Sequence, residues 1–112
     1  MLTLKKDQIK RNRAYVEEAF RLIHGKTDVA HTMILNSDGN PIKTSMELNA
    51  SIQYAGLFGI LRDKVTIGLQ KINPGDELLI LRVRTTSSEI IMLPDGKITV
   101  LVIQKPLDRF NA

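Results

Sequence analysis

Two histidines, His24 and His31, are the side chains of this chain best suited to proton transfer or metal binding. Neither has a carboxylate or a serine at a spacing that would orient the imidazole or supply a nucleophile. The sequence has no HxxxH, HExxH or EF-hand spacing, and it has no cysteine for a thiolate or a zinc site. We therefore expect no catalytic residue and no metal site. His24 would be a favourable partner for a helix dipole, and His31, within a strand, would be packed or lie at a rim.

Glycine-rich segments are the other feature that could bind a cofactor. Gly56 and Gly59 lie inside a long predicted helix, whereas a phosphate-binding loop leads from a strand into the start of a helix. The sequence contains no GxGxxG or Walker pattern. We expect no bound cofactor, and these features favour a small protein-interaction module over an enzyme.

The charge of the chain is concentrated at its start. Of the 112 residues, 43% are hydrophobic and 25% are charged, as in an ordinary single globular domain. Residues 1–26 contain seven Lys/Arg and three Asp/Glu, whereas residues 27–112 contain nine of each, so the first segment supplies the whole net charge of +4. A solvated basic helix face explains this better than binding to nucleic acid or anionic lipid. With no signal sequence and no apolar run longer than four residues, we expect no membrane segment, no nucleic-acid partner and a cytoplasmic location.

Two helices are predicted from apolar residues that recur every three to four positions. The first covers 5–24 and buries one face only. The second covers about 50–72, with Asn49 as its N-cap and the Asn-Pro-Gly sequence at 73–75 as its end. Its apolar residues occupy a wider arc than contact with one sheet requires. They are Tyr54, Phe58, Leu61, Val65, Leu69 and Ile72, with Leu57, Ile60 and Ile67 beside them.

Five strands are predicted, and the last three are apolar on both faces. The strands cover 29–36, 41–45, 77–84, 89–93 and 97–104. Such strands lie in sheets that are covered on both faces, so one helix is expected on each face. Hairpins join the first two strands and the last three. Placing the first strand beside the fifth gives the order 2-1-5-4-3, an α/β fold with a mostly antiparallel sheet.

The third predicted strand is a poor free edge, because it is long, has no proline and includes the run LLIL at 78–81. A two-fold dimer would cover it, with the third strands paired and the long helices packed together. The alternative is that residues 105–112 fold back over the same edge. Three glycines inside the long helix would permit a close helix–helix approach or are simply tolerated. They are Gly56, Gly59 and Gly68.

Six stretches of the sequence resemble the roadblock family of dynein light chains, in order and with matching gaps. They are NSDGNPIKTS at 36–45, QYA at 53–55, INPGDEL at 72–78, LRVR at 81–84, EIIMLPD at 89–95 and VIQKP at 102–106. Each stretch is short, but together they span about residues 29–107. Because the family usually has glycine where His31 stands, the chain looks like a divergent member.

The resemblance implies a non-catalytic accessory light chain of the dynein motor. Such a chain would bind the dynein intermediate chain as a homodimer, or as a heterodimer with another roadblock chain, and support microtubule-based transport. Its sheet would continue into ten strands across the dimer. Relatives with this fold also act as scaffolds or regulators of small GTPases, which is the alternative function.

The resemblance also implies a domain organisation and a set of dimer contacts. Residues 1–28 would form a basic amphipathic helix within the single domain, 29–107 the roadblock-like core, and 108–112 a tail. The dimer-interface positions carried over from the family are Tyr54, Phe58, Leu61, Val65, Leu79, Leu81 and Val83.

Overall fold

The computed structural model describes residues 2–105, with side chains from residue 13 onward. The described chain forms one helix, two strands, a second helix and three further strands. Their bounds are Leu2–His24 (α1), Val29–Leu35 (β1), Pro41–Thr44 (β2), Leu48–Ile72 (α2), Leu81–Arg84 (β3), Glu89–Asp95 (β4) and Ile98–Gln104 (β5). Neighbouring strands are antiparallel and follow the order β2-β1-β5-β4-β3. The predicted strand order and fold class are therefore confirmed.

One face of the sheet is covered by α1, through the single apolar stripe that its sequence predicts. Val16 is the buried centre of this contact and packs against the middle of β1 and β5. The rest of the cluster consists of Ile34, Val100 and Val102, with Ala19, Phe20 and Ile23 along the helix. The helix ends before Gly25, whose N–H donates to the Arg21 carbonyl at 3.2 Å. This layer covers the half of the sheet built by β1 and β5.

The other face is covered by α2, and its core is larger. Phe58 is only 1% exposed and fills the space between the helix and the sheet. The buried residues around it are Met33, Leu35, Ala55, Ile90, Met92, Leu101 and Ile103. Because the two clusters occupy opposite faces, β1 and β5 are apolar on both sides, as expected for strands in a three-layer arrangement.

The start of α2 differs from the expectation. Asn49 was expected to cap the helix, but the helix begins at Leu48, the cap position is Glu47, and no side chain caps it. The buried Ser51 explains this start, because both its N–H and its hydroxyl contact the Glu47 carbonyl at 2.9 Å. The Ser51 hydroxyl also lies 2.8 Å from the Thr44 hydroxyl and so ties the first turn to β2. The predicted end is confirmed at Asn73, whose N–H donates to the Leu69 carbonyl at 2.8 Å.

The third strand is shorter than predicted. A strand over 77–84 was expected, but β3 covers only Leu81–Arg84, and 76–80 is irregular. The pairing of Leu81 with Met92 would place Leu79 opposite Pro94, which has no N–H to donate to a ladder. Proline does not end β4 itself, which continues to Asp95 while paired with β5.

Residues 105–112 are the alternative cover that the sequence predicts for the β3 edge. All of them except residue 105 lie outside the described residues.

In the part of the chain that the structure describes, neither helix has a stretch long and apolar enough to cross a bilayer.

Candidate protein-interaction site

The outer face of α2 is apolar and exposed. Ile60 and Ile67 are 58% and 55% exposed, and Leu57 beside them is 54% exposed. At 100° per residue, Gly56, Ile60 and Ile67 lie along one line of the helix, on the side opposite Phe58. Large apolar side chains grouped in this way, rather than scattered singly, mark a protein-interaction surface.

The glycines of α2 are not required by packing within this chain. A Cβ atom built at Gly56, Gly59 or Gly68 would meet nothing within 4 Å. An interior glycine costs a helix about 1 kcal/mol relative to alanine, and nothing in the described fold offsets that cost. The close approach that these glycines permit would have to come from outside the part of the chain that the structure describes.

The edge of the sheet at β3 is the second exposed feature. Within residues 2–105, β3 has β4 as its single partner strand, so its other side is open. The irregular segment before it presents Leu79 and Ile80, which are 71% and 54% exposed. This segment connects the end of α2 to β3, so the apolar helix face and the open edge adjoin each other along the chain.

The structure divides the seven predicted interface residues into four groups. Leu79 is exposed, and Val65 is half-buried. Four residues are partly buried and pack against the core beneath α2, and these are Tyr54, Leu61, Leu81 and Val83. Phe58 was expected at the dimer interface, but its 1% exposure places it in the core of its own chain, where a partner cannot reach it. That assignment is corrected, and the interface itself stays a prediction.

Sequence reasoning placed Leu57, Ile60 and Ile67 beside the main stripe of α2 and did not assign them to the interface. The sequence feature that distinguishes the inner face of α2 from its outer face is Ser51, a small polar residue whose hydroxyl contacts the Thr44 hydroxyl on β2. Ser51, Ala55 and Phe58 are the buried residues of α2, so they define the inner face. The outer face then follows from helical geometry.

A groove beside α1 is a separate apolar surface. It has a volume of about 490 Å³ and runs between α1 and the ends of β4 and β5. Its lining includes Tyr15, Leu22 and Leu93, and the side chains of Tyr15 and Leu22 are more than half exposed. At one end the Tyr15 hydroxyl donates a hydrogen bond to Asp95, which raises the pKa of the phenol above its usual value.

Both histidines contact neighbouring hydroxyl groups. His24 Nδ1 lies 3.2 Å from Thr32 Oγ1, and its ring stacks on Phe20. His31 Nδ1 lies 3.3 Å from Ser45 Oγ. Among the described residues, no three His, Cys, Asp or Glu side chains are close enough together to hold a metal ion. The chemistry that these arrangements support is hydrogen bonding within the fold.

Comparison with known proteins identifies the fold. A family model described as the Roadblock/LC7 domain matches residues 15–105. Among solved structures, the chain is similar to the crystal structure of a Roadblock/LC7 domain from Streptomyces avermitilis, with a TM-score of 0.67 and 13% sequence identity. That similarity covers 75% of this chain and 72% of the other. The family match runs from within α1 to the end of β5, and so includes both faces of the sheet.

Proposed function

The chain belongs to the Roadblock/LC7 domain family, and we propose that it works as a homodimer that binds a partner protein. The observation that carries this proposal is the exposed apolar face of α2 next to an open strand edge. Roadblock domains commonly dimerise, and they are generally non-catalytic.

A two-fold dimer would cover both features at once. Antiparallel pairing of β3 with its copy would continue the sheet to ten strands, and Leu79 and Ile80 would be covered in the process. The outer faces of the two α2 helices would pack together over Ile60 and Ile67, with Gly56 allowing close approach. Stable interfaces bury about 800 Å² per partner, which a 25-residue helix and an adjoining strand can supply together.

The partner that we propose is the dynein intermediate chain, and the role is that of an accessory light chain in microtubule-based transport in the cytoplasm. Support comes from the six stretches that resemble roadblock dynein light chains. Several of their residues are exposed, among them Gln53, Asp76 and Glu77, and core packing does not dictate their types. Asn36 and Asn73 have a local explanation instead, because their side chains accept N–H groups in turns. A heterodimer with another roadblock chain would use the same surfaces.

The second candidate is a scaffold or regulator of a small GTPase. The solved relative comes from a bacterium, so this fold is not restricted to subunits of the dynein motor. A GTPase regulator would change the rate of nucleotide hydrolysis or exchange, whereas a light chain would not.

One experiment separates the two candidates. The purified protein is titrated with fragments of dynein intermediate chains and, in parallel, with a panel of Ras-like GTPases. We expect saturable binding of an intermediate-chain fragment, with one fragment per protomer, and unchanged GTPase rates. Binding of no fragment together with an altered GTPase rate would favour the second candidate and overturn the first.

The dimer would use α2 and β3, which leaves the groove beside α1 for the partner. Leu22→Glu places a charge on the wall of this groove, at a side chain that is 55% exposed. We expect at least about tenfold weaker binding of the intermediate-chain fragment, because an apolar contact is lost and a carboxylate is desolvated. The measurement is isothermal titration calorimetry on the purified protein.

Leu48→Glu is the matched control for the groove. Leu48 is 64% exposed and lies at the start of α2, on the opposite face of the sheet. Leu48→Glu should bind the fragment with wild-type affinity. Both variants should form an assembly of the same size in solution as the wild type. Equal loss of binding in the two variants would show that the groove is not the binding surface.

A further inference from the structure

A cleft of about 620 Å³ lies on the α1 face of the sheet, where the helix meets the β1–β2 and β4–β5 turns. We call it the turn-side cleft. Its apolar floor consists of Val16, Ile42 and Ile98, which come from α1, β2 and β5. The volume is within the range of about 300–1,000 Å³ that is typical of binding sites. The proposed dimer uses α2 and β3, so it would leave this cleft uncovered.

A β-bulge directs Ile42 into the turn-side cleft. Two neighbouring residues of β1 pair with Lys43 and Pro41, so Ile42 between them is an extra residue in β2. Lys43 points toward α1, because its ammonium lies 2.7 Å from the Glu17 carboxylate. In a regular strand the residue before it would point to the other face, but the bulge interrupts that alternation. Ile42 therefore lines the cleft beside α1 and is 49% exposed there.

Two cationic side chains at the rim of the cleft are available to a ligand. Both carboxylates that line the cleft are engaged, Glu17 in the ion pair with β2 and Asp95 as the acceptor of the Tyr15 hydroxyl. Arg13 and Lys97 also line the cleft and are exposed. Neither forms an ion pair with any residue whose side chain the structure describes. A carboxylate from another molecule would therefore meet two cations that have no carboxylate of their own.

The two cations are held by different elements. Arg13 is carried by α1, whereas Lys97 is in the β4–β5 turn. This turn has only two residues, because Asp95 pairs with Ile98 across it, and Gly96 adopts the positive φ of 59° that such a turn requires. Lys97 thus lies next to Ile98 of the apolar floor. A ligand that contacts both cations would lie across the floor between α1 and the turn.

We propose that the turn-side cleft binds a peptide segment of a partner protein in which an apolar residue is adjacent to an acidic one. The apolar side chain would pack on the floor, and the carboxylate would lie between Arg13 and Lys97, where the guanidinium can bind it bidentately. Tyr15 and Ile42 at the walls are 52% and 49% exposed, so the cleft is too open to enclose a small molecule.

This site is separate from the groove beside α1. Tyr15 and Asp95 line both surfaces, and the hydrogen bond between them forms the wall that divides the two. Binding at the turn-side cleft requires neither the dimer nor the intermediate chain of the proposed function, so its tests are decided independently of both.

The ligand chemistry is tested with a short synthetic peptide that alternates leucine and glutamate and has blocked ends. It is titrated into the isotope-labelled protein, and backbone amide shifts are followed by NMR. We expect saturable shift changes at Gly96, Lys97 and Ile98. Replacing the glutamates of the peptide with glutamine should weaken binding by about fivefold or more, and replacing the leucines with alanine by about tenfold or more. Shift changes that avoid these residues, or equal binding of the glutamine peptide, would overturn the proposal.

Lys97→Glu tests the protein side of the same contact. We expect the Kd of the leucine–glutamate peptide to rise by about fivefold or more, because an attraction becomes a repulsion, and the difference to shrink in about 1 M salt. Lys26→Glu is the matched control, since it makes the same charge change at an exposed position between α1 and β1, at the opposite end of β1. This variant should bind the peptide as the wild type does. Equal weakening in the two variants would reveal a general attraction by net charge and would rule out the site.

A last titration distinguishes a peptide from a small organic acid. N-acetylglutamate carries the carboxylate but no neighbouring apolar residue, so it should cause no saturable shift changes at concentrations that saturate the peptide site. Binding as tight as that of the peptide would identify the cleft as a site for small acids and overturn the peptide assignment.

Discussion

Ile60→Lys is expected to convert the protein from a dimer into a folded monomer. Ile60 lies at the centre of the exposed face of α2 and is 58% exposed within one chain. In a two-fold dimer the substitution acts twice, removing two apolar contacts worth about 1.5–3 kcal/mol each. That loss alone raises the Kd by about 10²–10⁴-fold, and the cost of desolvating two ammonium groups adds to it.

The fold of the monomer should not change, because substitutions at exposed positions usually alter stability by about 0.5 kcal/mol or less. Light scattering and analytical ultracentrifugation give the mass, and circular dichroism reports the fold. Ile42→Lys is the matched control, since Ile42 is 49% exposed on β2 at the opposite edge of the sheet. If Ile60→Lys keeps the mass of a dimer, α2 does not form the interface.

The division of α2 into two faces illustrates how far the sequence leads. The apolar arc of α2 is wider than one sheet contact requires, and the structure leaves part of that arc exposed; that a partner covers this part stays a prediction. Periodicity alone could not say which part, because Phe58 and Ile60 are both large and apolar and lie on opposite sides of the helix. The decision comes from tertiary contacts, in which Phe58 fills the space above β1, β4 and β5. For this reason the family's interface positions included a core residue.

The third strand shows a different limit. Strand order was predictable, because hairpin connections and the need for two covered faces leave few arrangements. The extent of β3 was not predictable from its own residues, since the LLIL run has strong strand propensity. The register of β3 and β4 places Pro94 opposite Leu79, and this position can be assigned only when that register is known. Because β3 begins at Leu81 rather than at residue 77, Leu79 and Ile80 stay exposed, and in the proposed dimer a second copy would cover them.

Phe58→Ala is expected to lower the free energy of unfolding by about 3–5 kcal/mol. Among the residues whose side chains the structure describes, Phe58 is the largest that is fully buried, and its removal leaves a cavity between α2 and the sheet. Mesophilic domains have about 5–15 kcal/mol of stability in total, so the variant would be close to the limit of folding. A fall in Tm of about 10 °C or more is expected in parallel.

This measurement is best made in the Ile60→Lys background. The stability of a dimer depends on protein concentration, whereas that of a monomer does not, so the background isolates the contribution of the core. Leu57→Ala is the matched control, because Leu57 is adjacent in sequence but 54% exposed. Urea unfolding followed by circular dichroism should show a loss below about 1 kcal/mol for Leu57→Ala and a several-fold larger loss for Phe58→Ala. Equal losses would mean that Phe58 is no more buried than Leu57, which would contradict the orientation of α2 on the sheet.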